Sequence, residues 1–438
     1  MLYERIKIPN RTIGDYTIIR NTKSNIYLSQ ISSDIWNMLD EKISLDEIKH
    51  KLNNKSRVSL DNSEDIIKSI LAGFGRKELL QNYSPETEDD FLGIPQGEVK
   101  TKSTKEEIIN FYYKNKFIQK VDLELTYRCN FNCRHCYNVS DFKNELSLSQ
   151  WKNVMDQLAE MGCIDLAFTG GEVFVRKDFL ELMEYACKKE FSIRIKTNGF
   201  SVTREIAAFL SSCRPYLLDV EISLYGTTSK TFDWFVQRPG AFENVCNAMR
   251  YLRENRVTVI GKYLIMKQNL AELESLRSFI EDLDIKVKVS SGSMIPRVDG
   301  DKSTLDYMIS PDEQRFLLDQ MIKHSIPLPQ KVQCDPAKTR CSISPNGNVC
   351  SCEWLADISF GNIKENSLSE IWLNSPAIKK FRAMNSGYPE ECRDCSFSEY
   401  CGRCPARSYL ETGNPAGKSP ISCSIAQMCS ELVEGSEV

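Results

Sequence analysis

The chain has 438 residues, of which 41% are hydrophobic and 26% charged, and its formal net charge is −4. That composition reads as globular, and the length allows two or three domains. The slight acidity argues against non-specific nucleic-acid binding, "MLYERIKIPN" lacks the apolar core of a signal peptide, and no run nears the roughly 18 apolar residues of a membrane span.

A cytoplasmic location is therefore expected, where disulfide frameworks do not persist. Seventeen cysteines are then conspicuous. Clustered cysteines in that compartment point to metal or redox chemistry. The three histidines, His50, His135 and His324, are too few and too dispersed for a histidine metal site or triad.

In chain order, "DYTIIRN" and "SNIYLSQ" have strand patterns. "SSDIWNMLDEK" reads as a capped helix. "SLDEIKHKL" opens with a capping box from Ser44 to Glu47, and "SEDIIKSILAGFGRKELL" gathers Ile66, Ile67, Ile70, Leu71 and Phe74 on one face. Strands followed by three short helices suggest a winged-helix-like unit over residues 1–92. The polar, Pro/Gly-punctuated stretch that follows reads as a linker, 93–117.

From residue 118 strands and helices alternate. The strand candidates are "VDLELTYR", "IDLAFTGG", "FSIRIKTNG", "LLDVEISLYG", "VTVIGKYLIM" and "IKVKVSS". Repeated βα units imply an α/β fold with a parallel sheet, open or curled into a barrel, over 118–328. Chemistry in such sheets sits at the carboxyl ends of strands. The loop "CNFNCRHCYN" follows the first strand, and "TGGE", "TNG" and "SLYG" end the next three. The last part, 329–438, has short strands, turns such as "SPNGN" and one helix, "SLSEIWLNSPAIKKFR". So little core of its own suggests stapling by metal.

Cys129, Cys133 and Cys136 have the spacing C-x3-C-x2-C. A structural zinc site closes with four ligands, and no fourth lies nearby. His135, adjacent to Cys136, is poorly placed to bend onto the same ion. Three thiolates on a four-iron cluster would leave one iron free for a small molecule. Cys163, Cys187, Cys213 and Cys246 are scattered and read as buried or idle thiols.

The loop resembles the signature of the radical S-adenosylmethionine (SAM) enzymes. That resemblance implies a partial (βα)6 barrel, with Cys129, Cys133 and Cys136 on a 4Fe–4S cluster and SAM on its open iron. It implies cofactor contacts at His135 and Tyr137 in the loop, and at Gly170, Gly171 and Glu172 in "TGGE". Ser223 in "SLYG" and Arg238 in "RPGAF" are further contacts. The two glycines permit close backbone approach, and Glu172 would accept hydrogen bonds from the SAM ammonium. The implied chemistry is reductive cleavage of SAM to methionine and a 5′-deoxyadenosyl radical, which takes a hydrogen from an unactivated carbon.

"CRDCSFSEYCGRC" alone could be a zinc ribbon. Behind such a barrel it resembles the SPASM domain, which carries two auxiliary iron–sulfur clusters. Cys334, Gly347 and Cys352 match the first part of that pattern, and Cys392, Cys395 and Cys401 the second. The interval Cys401 to Cys404 is one residue short. The resemblance implies one cluster on Cys334, Cys352 and Cys404, with Cys341 as fourth ligand and Cys350 as its competitor. A second would use Cys392, Cys395, Cys401 and Cys423, making three 4Fe–4S clusters in all. If neither Cys341 nor Cys350 binds, an iron is open to a substrate thiolate. Glu353 is the candidate catalytic proton acceptor; a plain surface carboxylate is the alternative.

Residues 1–92 resemble the PqqD-like peptide-recognition domain, through "NIYLSQISSDIWNMLDEKISLDEIKHKL". In that family a leader peptide adds as a strand to the small sheet. The layout resembles radical SAM/SPASM maturases that form thioether bridges in sactipeptides and ranthipeptides. The implied partners are a precursor peptide and a flavodoxin- or ferredoxin-type electron donor, with no nucleic acid and no membrane. Related enzymes form carbon–carbon crosslinks, epimerise residues or oxidise side chains. An alternative of another class is a non-catalytic metal-binding winged-helix regulator.

Overall fold

A computed structural model describes residues 2–13, 16–20, 25–54, 63–81, 105–138, 144–290, 292–324, 326–330, 334, 337–384 and 389–436. The N-terminal unit comprises β1 (Leu2–Tyr3), β2 (Asn10–Ile13), β3 (Tyr16–Arg20), β4 (Asn25–Ser29), α1 (Gln30–Met38), β5 (Ile43–Ser44), α2 (Leu45–Asn54) and α3 (Ser63–Arg76). Strands β2, β3 and β4 form an antiparallel sheet in that order, and β1 pairs with β5. Trp36, Ile48, Leu52, Leu71 and Phe74 are fully buried in a core of the unit's own. The capping box forms as read: the Ser44 amide and hydroxyl donate to Glu47 Oε2, and the Glu47 amide donates to Ser44 Oγ.

Helix α4 (Lys105–Lys114) occupies the end of the stretch read as a linker. Residues 93–104 lie outside the described residues. Tyr112 of α4 is fully buried, and its hydroxyl donates to the Gly162 carbonyl. That aromatic anchor ties the helix to the next domain.

The central unit runs β6 (Lys120–Thr126), α5 (Leu148–Glu160), β7 (Asp165–Gly170), α6 (Phe179–Lys188), β8 (Ser192–Thr197), α7 (Arg204–Ser212), β9 (Leu217–Leu224), α8 (Ser229–Val236), α9 (Ala241–Glu254), β10 (Val259–Tyr263), α10 (Leu273–Leu283), β11 (Lys286–Val289) and α11 (Pro311–Lys323). All six expected strands are present, and β6 to β11 are parallel neighbours in sequence order. Strand β6 shows the logic. Val121, Leu123 and Leu125 join the hydrophobic core, whereas Asp122, Glu124 and Thr126 are buried on the other face. Period-two alternation thus lines one side of the sheet with polar groups.

The C-terminal part is β12 (Arg340–Ile343), β13 (Asn348–Cys350), β14 (Ser359–Asn362), α12 (Leu368–Asn374), α13 (Pro376–Met384), α14 (Pro405–Thr412) and α15 (Pro420–Ser436). It continues the barrel's sheet. Strand β12 runs parallel to β6, with Arg340 opposite Lys120 and Ile343 opposite Leu123, and β13 and β14 add antiparallel to give nine strands. The segment "SLSEIWLNSPAIKKFR", read as one helix, is two. Ser375 takes ψ 127° because Pro376 disfavours the helical conformation of the residue before it.

The N-terminal unit sits at the starts of the parallel strands. Arg11 Nε donates to the Cys163 carbonyl at 2.9 Å and Nη2 to that of Lys189 at 2.8 Å. Arg20 pairs with Asp165 at 3.3 Å, the first residue of β7. No helix among the described residues is long and apolar enough to cross a membrane.

Candidate cofactor and cluster site

The cysteine loop leaves the end of β6 and is held from two sides. From β7, the Gly171 amide donates to Thr126 O at 2.7 Å, and the Glu172 amide to Arg128 O at 2.9 Å. A Cβ at Gly170 would lie 2.2 Å from Thr126 O, and one at Gly171 2.4 Å from Arg128 O. Gly170 also has φ 132°. The glycines are thus demanded by the chain's own loop. From α8, the Asn132 and Arg134 amides donate to the carbonyls of Val236 and Phe235. Gln237 Nε2 donates to Asn132 O. Arg238 Nη1 donates to Asn130 O at 2.6 Å while its guanidinium stacks 3.9 Å from the Phe200 ring. Arg238, expected to touch the cofactor, here supports the loop backbone.

The three thiols come close enough to interact. Burial pushes the Cys133 thiol up, and Cys136 and Cys129 push it further. Cys129 and Cys136 are exposed, so the sulfur side is open. Two residues missed in the sequence serve these sulfurs. Asn198 Nδ2 points at Cys129 Sγ, 3.7 Å away, and donates to Asn130 Oδ1 at 2.7 Å. The buried Tyr225 hydroxyl lies near enough to Cys133 and Ser223 to interact with both. The signals were present, since Asn198 lies in "TNG" and Tyr225 in "SLYG". His135 packs between Tyr225 and Phe235, with ring centroids 4.9 and 4.8 Å away. Burial lowers its pKa to about 4. Its buried Nδ1 has no hydrogen-bond partner.

Glu172 is 1% exposed. Its carboxylate accepts from the Phe174 amide at 3.1 Å, the Asn198 amide at 2.7 Å and the Thr197 hydroxyl at 2.7 Å. Three donors occupy most of the roughly four acceptor positions of a carboxylate. Glu172 therefore ties the ends of β7 and β8 together, beneath the cysteine loop.

Across the polar face of the sheet lies an ionic network. Asp122 accepts from Lys196 and from Arg340, each at 2.8 Å. Burial opposes its ionisation, but Lys196, Arg340 and Lys120 together hold its carboxyl below the usual range. Lys196 also donates to Glu353 Oε1 at 3.3 Å, and Glu353 Oε2 is buried without a partner. Glu353 is thus turned inward, toward the barrel. Glu124 lies beside it, and burial, then Glu353 and Asp122, raise its carboxyl well above the ordinary value. Tyr137 completes this corner, its ring edge-on to Trp354 at 6.4 Å. Glu353 and Glu124 raise its phenol beyond the effect of burial.

The C-terminal cysteines fall into separate groups. Burial raises the Cys423 thiol, and Cys401, Cys392 and Cys395 raise it further; Cys401 feels Cys392 and Cys395 in turn. Cys352 interacts with Cys404, and the Arg340 guanidinium with Cys334 and Cys352. Cys341 is not brought to this group. It is fully buried in the hydrophobic core of β12, where alternation turns it away from Arg340, and its thiol neighbours are Cys350 and Cys163. Cys350 faces Glu124 and Asp357, and its Sγ lies 3.6 Å from the Ala356 carbonyl. Of the thiols read as idle, Cys163, Cys213 and Cys246 are buried and Cys187 is half-buried.

Among the described residues no three Cys, His, Asp or Glu side chains are gathered tightly enough to hold one metal ion. Clustered thiolates that each bind a separate iron suit iron–sulfur clusters, where no single ion gathers all the ligands. The donor set therefore fits iron–sulfur clusters.

Residues 123–280 match the radical SAM superfamily, and residues 334–396 match the iron–sulfur cluster-binding SPASM domain. The chain is 29% identical over 297 residues to the antilisterial bacteriocin subtilosin biosynthesis protein AlbA of Bacillus subtilis, spanning 64% of this chain and 66%, just under two thirds, of that protein. It is 28% identical over 316 residues to the mycofactocin maturase MftC of Mycobacterium tuberculosis, covering 67% of this chain and 79% of MftC. Its fold is similar to that of Streptococcus suis SuiB bound to S-adenosylmethionine, with TM-score 0.63 and 14% identity over 95% of this chain and 98% of SuiB.

Proposed function

We propose that this chain, in which a radical SAM domain is joined to a SPASM domain, modifies a ribosomally made precursor peptide by bonding cysteine sulfur to an acceptor carbon. The observation that carries the reading is one continuous sheet that bears both thiol systems. The open three-cysteine loop stands at the end of β6, and Cys352 lies beyond β13, with the inward-turned Glu353 beside it. The names of AlbA and MftC support a peptide substrate, and AlbA's association with a bacteriocin favours thioether formation.

In this reading Cys129, Cys133 and Cys136 hold the cluster that binds SAM. Cys334, Cys352 and Cys404 hold the first auxiliary cluster, and Cys392, Cys395, Cys401 and Cys423 the second. When bound, the first cluster and SAM supply a 5′-deoxyadenosyl radical able to take hydrogen from an unactivated carbon. The chain's own residues do the positioning. Glu172, Asn198 and Arg238 fix the loop, and Tyr225 steadies Cys133. Lys196 orients Glu353, whose carboxylate accepts the proton of the substrate thiol and is left as the neutral acid. The hydrogen atom of the acceptor carbon would leave as part of 5′-deoxyadenosine, and the one remaining electron would pass to an oxidised auxiliary cluster. With Cys341 turned into the core, Cys350 is the remaining candidate for a fourth ligand to the first auxiliary cluster, and if it does not bind, the substrate sulfur would take that place.

Residues 1–92 act as a PqqD-like, winged-helix-like unit. Strand β4 ends its sheet, and the leader peptide adds there as a further strand. The enzyme works in the cytoplasm with reduced flavodoxin or ferredoxin as one-electron donor. The test is co-expression with a short cysteine-bearing peptide encoded beside it, followed by mass spectrometry. A thioether leaves the peptide two hydrogens lighter per bond and removes an alkylatable thiol. A carbon–carbon crosslink keeps the thiol, and epimerisation keeps the mass; either result would overturn thioether formation.

A further inference from the structure

We infer that the surface formed by α8 and the back of the cysteine loop is the docking site of an acidic one-electron carrier protein. The inference rests on the radical SAM reading, because each SAM cleaved requires one electron from outside the chain, given up by a reduced carrier. A shallow depression here is lined by Arg134, Lys230, Trp234 and Arg238, among others. Trp234 is 42% exposed, rare for so large an apolar side chain. It lies under the Arg134 guanidinium, 4.3 Å from the ring centroid.

Among the described residues Arg134, Lys230 and Arg238 have no ion-pair partner, so three cations outnumber one carboxylate here. Arg134 donates to the Trp234 carbonyl and Arg238 to the Asn130 carbonyl, both neutral acceptors. Asp233 is the one carboxylate among the lining residues, and the amides of Gly240 and Phe242 occupy it at 2.6 and 2.8 Å. A cationic patch with an aromatic centre, on a chain of net charge −4, suits an acidic partner.

Position supplies the second argument. Arg134 lies between Cys133 and Cys136, and its amide is bonded to Phe235 of α8. The depression is therefore the outer side of the loop that carries the three thiols. A carrier seated there reaches that loop without entering the substrate side of the sheet, where Glu353 and Tyr137 lie. Reduction and peptide binding then use opposite sides of one loop.

The test uses the full-length, cluster-loaded protein with flavodoxin as probe. Calorimetry measures binding of oxidised flavodoxin at low and physiological salt. 5′-Deoxyadenosine formation is then compared with reduced flavodoxin and with dithionite as reductant. Lys230→Glu combined with Trp234→Ala should weaken flavodoxin binding at least tenfold and flatten its salt dependence, since exposed charges are screened beyond about 8 Å at physiological salt. Dithionite-driven cleavage should be unchanged. Lys379→Glu on α13 should bind flavodoxin like the parent. Equal flavodoxin affinity in the double variant, equal loss in the Lys379→Glu control, or no binding by the parent would overturn the docking site. Absence of 5′-deoxyadenosine with dithionite in the parent would instead overturn the radical SAM reading.

Discussion

Glu172→Ala should loosen the turn beneath the cysteine loop even when no SAM is present. The carboxylate is the acceptor for the Phe174 and Asn198 amides and the Thr197 hydroxyl. The hydroxyl can rotate to another acceptor, but the two amides are fixed by their strand ends. Each buried donor left unpaired costs about 1–3 kcal/mol, so the turn should lose about 2–6 kcal/mol of local stability. Since about 1.4 kcal/mol is a factor of ten in local opening, hydrogen exchange at Asn198 and Phe174 should accelerate at least tenfold. The assay is amide exchange of the SAM-free variant, with SAM affinity measured separately. SAM affinity should fall as well, because Asn198 also reaches Cys129 and Asn130. Unchanged exchange at both amides, with only SAM affinity reduced, would refute the reasoning and return the carboxylate to the cofactor.

Asp122→Ala should lower the melting temperature sharply, because Lys196 and Arg340 lose a fully buried partner, at a cost of about 3–5 kcal/mol. Cys352→Ala should lower the iron content of reconstituted protein by one cluster's worth, whereas Cys341→Ala should keep all iron and lose about 1 kcal/mol to a small cavity; iron analysis and thermal unfolding separate the two. The raised Glu124 carboxyl destabilises the fold progressively as pH rises from about 4.3 toward its folded value, since the unfolded chain ionises first. Glu124→Gln should therefore gain melting temperature over the parent at pH 8 more than at pH 5.

The parallel sheet was legible because its strands alternate or run apolar between clear turn residues, and because each site segment ends a strand. The three-cysteine loop stood out by its spacing, whereas the grouping of the C-terminal cysteines came from the resemblance to the SPASM pattern. What escaped the sequence depends on contacts between distant segments. Nothing local to "RCSI" says that β12 pairs with β6, some 218 residues earlier as Arg340 is to Asp122. The turning of Cys341 into the core follows from that pairing, since alternation then puts Arg340 on the Asp122 side. The reach of Arg238 to Asn130 O was likewise illegible, because it requires α8 to pack on the loop. Helix α4 was hidden by polar neighbours, although Tyr112 and Phe111 anchor it.

The central claim is that the Cys129, Cys133 and Cys136 loop supports reductive cleavage of SAM. It is tested most directly by mixing anaerobically reconstituted, dithionite-reduced protein with SAM and measuring 5′-deoxyadenosine and methionine by chromatography. Equal amounts of the two are expected from the parent, and neither from the variant with all three cysteines replaced by alanine. No 5′-deoxyadenosine from parent protein that retains its iron would contradict it.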